Sequence, residues 1–101
     1  MAQYVKLHEV CVRLEIDDAL LRTLAEEGLV EIVDARGEEP VVSAEVAERL
    51  RVITLLMREM EVNLAGVEVI LHMREEIRAM QRQFDEILNT VVEEVRKRVG
   101  R

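Results

Sequence analysis

His8 and Cys11 stand three residues apart, a spacing that puts two soft ligands on one helical face and makes half of a zinc-type site. With one cysteine and two histidines in the chain, the ligands to complete it are missing. Cys11 therefore reads as a small apolar side chain on a buried face. Ser43 is the sole serine, and neither His8 nor His72 is spaced to serve a nucleophile. There is no glycine-rich phosphate loop, and carboxylates at this density pair on helices by chance. A non-enzyme is expected, with no cofactor and no metal.

Charge is the more informative chemistry. The 101 residues carry a net charge of −7. Residues 1–42 hold four basic and ten acidic side chains, leaving them at −6, while residues 43–101 hold ten basic and eleven acidic, leaving them at −1. A polyanion is repelled by the N-terminal part and a basic protein surface is attracted to it. The only aromatic residues are Tyr4 and Phe84, too few for a base-stacking platform. A single cysteine excludes an intrachain disulfide and fits a reducing compartment. The N-terminus lacks a basic stretch followed by an apolar run, and no window approaches a membrane span, so a cytoplasmic protein is expected.

The elements that must position these charges follow from spacing. Leu7, Val10, Cys11 and Leu14 repeat at i, i+3, i+4 and i+7, which predicts a short amphipathic helix. Asp17 or Asp18 caps a second helix with Leu20, Leu21 and Leu24 on its inner side, and Gly28 ends it. "LVEIV", residues 29–33, predicts a strand that turns through "DARGEEP" and returns at Val41-Val42, a small hairpin wing. Ser43 caps a third helix whose apolar positions Val46, Leu50, Ile53, Met57 and Met60 step by 4, 3, 4 and 3.

Asn63 caps the last helical segment. Beyond Gly66 neither proline nor glycine interrupts the chain up to Val99. In it Met73, Ile77, Met80, Phe84, Ile87 and Val91 alternate steps of 4 and 3, with Val95 four further on. That is a coiled-coil seam of about three heptads, and its stripe needs a partner, most simply a second copy. Whether the segment is one helix or two packed together stays open at this point. The expected organisation is a lobe at 1–61 and a C-terminal helical dimerisation region at 62–101.

Two stretches carry a resemblance. "LRTLAEEGLV", Leu21 to Val30, resembles the second helix and exit of MerR-type winged helix-turn-helix domains. "VNLAGVEVIL", Val62 to Leu71, resembles the start of the helix after the wing in the same superfamily, the heat-shock repressor HspR included. The resemblance implies a mainly α fold: a MerR-like winged helix-turn-helix with a small β-hairpin wing and a long coiled-coil-like dimerisation helix. The departures matter as much. Leu24 stands where DNA-binding members have a tyrosine, Glu26 where they have an arginine, and no basic residue lies between Gly37 and Val42. Arg36 is the nearest cation.

That pattern is similar to the chaperone-modulator CbpM family, small MerR-like dimers that bind the J-domain of DnaJ/CbpA-type co-chaperones. The resemblance implies that such a protein covers the basic J-domain surface used by a DnaK-type Hsp70 and suppresses stimulation of its ATPase. The residues expected to bind the J-domain are Asp17, Asp18, Leu20, Glu26, Glu27, Glu31, Glu68 and His72, with Leu24 a further apolar candidate and Glu38 and Glu39 on the wing. Those expected to join a homodimer are Met73, Ile77, Met80, Phe84, Ile87, Val91 and Val95. The alternative is a MerR/HspR-type DNA-binding transcriptional regulator, which would have to grip phosphate with Arg13, Arg22 and Arg36.

Overall fold

The spacing of Leu7, Val10, Cys11 and Leu14 becomes helix α1 (Leu7–Leu14), with Leu7 and Val10 buried and the other two half-buried. The structure is a computed structural model and describes residues 3–34 and 36–100. Helix α1 ends in a Schellman-type closure: Ile16 N donates to Cys11 O at 2.9 Å and Glu15 N to Val12 O at 3.3 Å. Glu15 therefore holds the left-handed conformation, φ 56°, that glycine normally occupies at this position.

Helix α2 (Asp18–Glu26) starts at Asp17, whose Oδ1 accepts the Leu20 N–H at 2.8 Å. It closes as expected at Gly28, φ 74°, with Gly28 N donating to Ala25 O at 3.1 Å and Leu29 N to Leu24 O at 2.9 Å. Of the three leucines assigned to its inner face, Leu24 is fully enclosed, whereas Leu20 and Leu21 are only half-buried.

The sheet differs from the expected hairpin. Strand β2 (Val41–Ser43) pairs antiparallel with an N-terminal strand β1 (Tyr4–Lys6), in the register Tyr4 to Ser43, Val5 to Val42 and Lys6 to Val41. The expected strand at 29–33 shrinks to a bridge between Val33 and Val41, held by two reciprocal 2.9 Å hydrogen bonds. Strand β2 is only three residues long because Ser43 caps the helix that follows, which leaves little strand for a ladder on this edge. Leu29 is used elsewhere: its N–H closes α2 and its carbonyl accepts from Arg49 Nη1 at 3.0 Å.

Helix α3 (Ala44–Thr54) is capped by Ser43, whose Oγ accepts from Val46 N at 3.1 Å. Val46, Leu50 and Ile53 are buried as their spacing predicts. The predicted stripe fails beyond that. Residues Leu55–Glu59 form a π turn, which widens the helix by one residue and rotates Leu56 inward. Met57 is half-buried, and Met60 is left 62% exposed.

The described residues are mainly α-helical, with four α-helices, the last of them long, and a small antiparallel sheet. It forms two compact units, Met1–Val67 and Glu68–Arg101. Leu24, Val42, Leu50, Ile53 and Val67 are the fully enclosed side chains at the centre of the first. The C-terminal segment is a single helix α4 (Leu64–Val99), 36 residues and so about 54 Å long. Asn63 Oδ1 accepts from Gly66 N at 2.9 Å, and a Cβ on Gly66 would stand 2.8 Å from Val62 Cγ1. Glycine there lets the chain enter α4 tightly.

The left-handed positions at Glu15 and Gly28 make opposite predictions. Glu15→Gly is expected to raise stability by about 1 kcal/mol, because glycine relieves the backbone at that φ. A Cβ at Gly28 would meet nothing within 4 Å, so Gly28→Ala should lower stability by about 1 kcal/mol through φ alone. Urea unfolding followed by circular dichroism measures both.

Candidate functional site

Helix α2 and its exit collect the acidic residues picked from the sequence. Asp18, Glu26, Glu27 and Glu31 are exposed, and Asp18 and Glu26 lie two turns apart on one face with Arg22 between them. Asp17 is exposed as well, but one carboxylate oxygen is occupied by the cap. Asp18 is also felt by the thiol of Cys11. Burial pushes the Cys11 pKa up, and the Asp18 charge raises it further. Cys11 is half-buried, an ordinary thiol rather than an activated one.

In the turn before β2, Glu38 and Glu39 are exposed, and Glu39 Oε2 lies 3.8 Å from Lys6 Nζ of β1. Both partners are largely solvated, so the pair contributes little to stability. Glu68 and His72 stand on α4, Glu68 half-buried and His72 exposed. Both belong to the second unit. His72 Nε2 lies 3.0 Å from Glu76 Oε1, a pairing along the helix surface. Leu20 and Leu24 divide between two roles: Leu24 is core, and Leu20 retains enough surface to touch a partner.

Sequence reasoning did not find the work done by the arginines of the first unit. Arg49 binds the Leu29 carbonyl, and Arg58 donates from both terminal nitrogens to the carbonyls of Leu14 and Glu15 at the end of α1. That supplies acceptors of the last turn with a cation, where the helix dipole favours one. Arg51 grips Glu48 with two hydrogen bonds, 3.0 Å from Nε and 2.7 Å from Nη2, which holds the guanidinium pKa above its usual value. Only the 48-to-51 spacing announced any of this. The other three contacts span 20, 44 and 43 residues of sequence.

A groove of about 260 Å³ opens beside Arg51. Val5, Val10, Leu14, Ala44 and Ala47 line it, with Glu9, Arg13, Glu48 and Arg51 around them. Ala44 and Ala47, one turn apart on α3, make the depression by their small size, which is the one signal the sequence held. Among the described residues no group of three or more His, Cys, Asp or Glu is arranged to hold a metal ion. No helix there is long and apolar enough to cross a membrane.

The seam residues of α4 are all in solvent. Met73, Ile77, Met80, Phe84, Ile87, Val91 and Val95 each expose half or more of their surface, Phe84 as much as 65%. A contiguous exposed apolar row of this length is the kind of surface that association covers.

The burial of Cys11 has a chemical consequence. Alkylation by iodoacetamide at pH 8 should be slower in the folded chain than in urea, since both burial and Asp18 disfavour the thiolate. Equal rates in the two states would place the thiol in free solvent.

Comparison with curated proteins and with solved structures yields no match. A family model described as "MerR HTH family regulatory protein" matches residues 5–89, from β1 through most of α4. With helix-turn-helix, turn, third helix and long last helix in that order, the chain belongs to the MerR helix-turn-helix family of regulatory proteins.

Proposed function

We propose that this chain is a protein-binding member of its family, a co-chaperone modulator that docks its acidic first unit on the basic surface of a J-domain. It acts as a homodimer joined through the α4 seam, and it blocks a DnaJ/CbpA-type partner from stimulating its DnaK-type Hsp70 by occupying the same basic surface. The observation that carries this reading is the distribution of charge. Residues 1–67 hold fourteen acidic and seven basic side chains, a balance of −7, whereas residues 68–101 hold seven of each. Of the seven cations, Arg49 and Arg58 donate to backbone carbonyls, Arg51 pairs with Glu48, and Lys6 lies near Glu39, none of which alters that balance. The seven excess carboxylates give that unit an acidic outward field, and the departures from the DNA-binding pattern at Leu24, Glu26 and the wing, which resemble the CbpM family, point to the class of partner.

Complementary charge speeds encounter and sets orientation, while lasting affinity needs an apolar anchor. Leu20 and the groove between α1 and α3 are the surfaces of the first unit suited to hold one. Binding to the J-domain of the cognate co-chaperone should be detectable at low salt, and its association rate should fall by about tenfold or more at high salt. No complex at low salt would exclude the proposal. Asp18→Lys combined with Glu26→Lys should slow association while leaving helicity unchanged; an unaltered on-rate would move the interface to another face. Asp17 is left out because its loss would uncap α2.

The second reading, a DNA-binding transcriptional regulator, is favoured by the family itself. It must rely on Arg13, Arg22 and Arg36 facing a phosphate backbone from an acidic surface. In a gel-shift assay at physiological salt the chain is expected to leave duplex DNA unshifted at micromolar concentration. A submicromolar shift would replace the chaperone reading with this one.

A further inference from the structure

Helix α4 changes width along its length. At about 100° of rotation per residue, Met73, Ile77 and Met80 fall within an arc of about 60°, the narrow seam of a two-stranded coil. From Phe84 onward the apolar face broadens. Phe84, Ile87, Leu88, Val91, Val92, Val95 and Val99 span about 140° by the same rotation, wider than a two-stranded seam covers. All seven are exposed. The 4-and-3 alternation breaks after Val91, where the next heptad position is Glu94. A second row runs instead through Leu88, Val92, Val95 and Val99 in steps of 4, 3 and 4, turned roughly 80° from Phe84, Ile87 and Val91.

We propose that this second row docks on the same row of another copy, so that two seam dimers join through the C-terminal halves of α4 into a four-copy assembly. The proposal rests on the seam-dimer reading above and adds a second interface to it.

The occupant follows from charge. Asp85 and Arg96 lie along the same edge of the second row, eleven residues apart. Antiparallel copies related by a two-fold axis near Val92 set like edges together, with Leu88 facing Val95. Asp85 of each copy then comes within about 3 Å, along the helix axis, of Arg96 of the other, inside the reach of an arginine side chain. A parallel copy would leave the same two charges about 16 Å apart along the axis. The row is thus complementary to itself in one orientation, antiparallel.

Sedimentation equilibrium of the full chain, over a wide concentration range, tests this. The wild type should reach four times the chain mass. Val92→Glu should reduce it to twice the chain mass, while Ile77→Glu with Met80→Glu should abolish the two-copy state. Asp85→Arg or Arg96→Asp alone should raise the dissociation constant of the four-copy species roughly tenfold, and the two together should restore it. Circular dichroism checks that each variant keeps its helicity. A wild type that stays at two copies up to the highest concentration overturns the second interface and leaves the seam dimer standing. A four-copy species unaffected by Val92→Glu also overturns it. A monomeric wild type overturns both.

Discussion

Ser43 ends a strand and begins a helix, and much of the first unit depends on that junction. Its backbone lies opposite Tyr4 in the sheet, its hydroxyl accepts the Val46 N–H, and the next amide, Ala44 N, donates to Gln3 O at 2.9 Å. Strand β1 is thereby tied to the start of α3, and Val42 is driven inward to join Leu50, Ile53 and Leu24 in the enclosed core. An N-cap of this kind contributes about 1 kcal/mol, while each fully buried leucine contributes about 2–5 kcal/mol against truncation to alanine. The cap selects where the helix starts. The core then holds it there.

Arginine is the second organising feature. In a DNA-binding relative, cations of a small basic domain would face outward to phosphate. Here Arg58 closes the end of α1 and Arg49 holds the exit of α2. These long-range contacts use cations as fasteners for backbone carbonyls. The acidity of the first unit reflects its residue count, fourteen acidic side chains against seven basic ones.

Helix α4 presents the opposite problem. A helix of 36 residues satisfies its own backbone, yet its apolar rows remain in water for lack of a facing element. Such rows gain the most from association, at about 25 cal/mol for each Å² removed from solvent. The two units thus differ: the first buries its apolar side chains, and the second leaves its apolar rows exposed.

Local chemistry was legible in the sequence wherever the decisive partners lie within one helical turn. The starts of α2, α3 and α4 at Asp17, Ser43 and Asn63, the stop at Gly28 and the inward faces of α1 and α3 are all contacts over three to five residues. The unbroken run to Val99 allowed a single helix but left a break undecided, because the same spacing serves one helix or two. The acidic character of the N-terminal part was equally readable, since charge adds without regard to fold. Tertiary structure alone decided the partner of β2, because strand pairing is a contest between segments far apart in the sequence. It decided the π turn that strands Met60 outside, and it turned Arg49 and Arg58 from surface charges into structural ties. Those outcomes depend on which groups meet across tens of residues, and residue spacing carries no record of that.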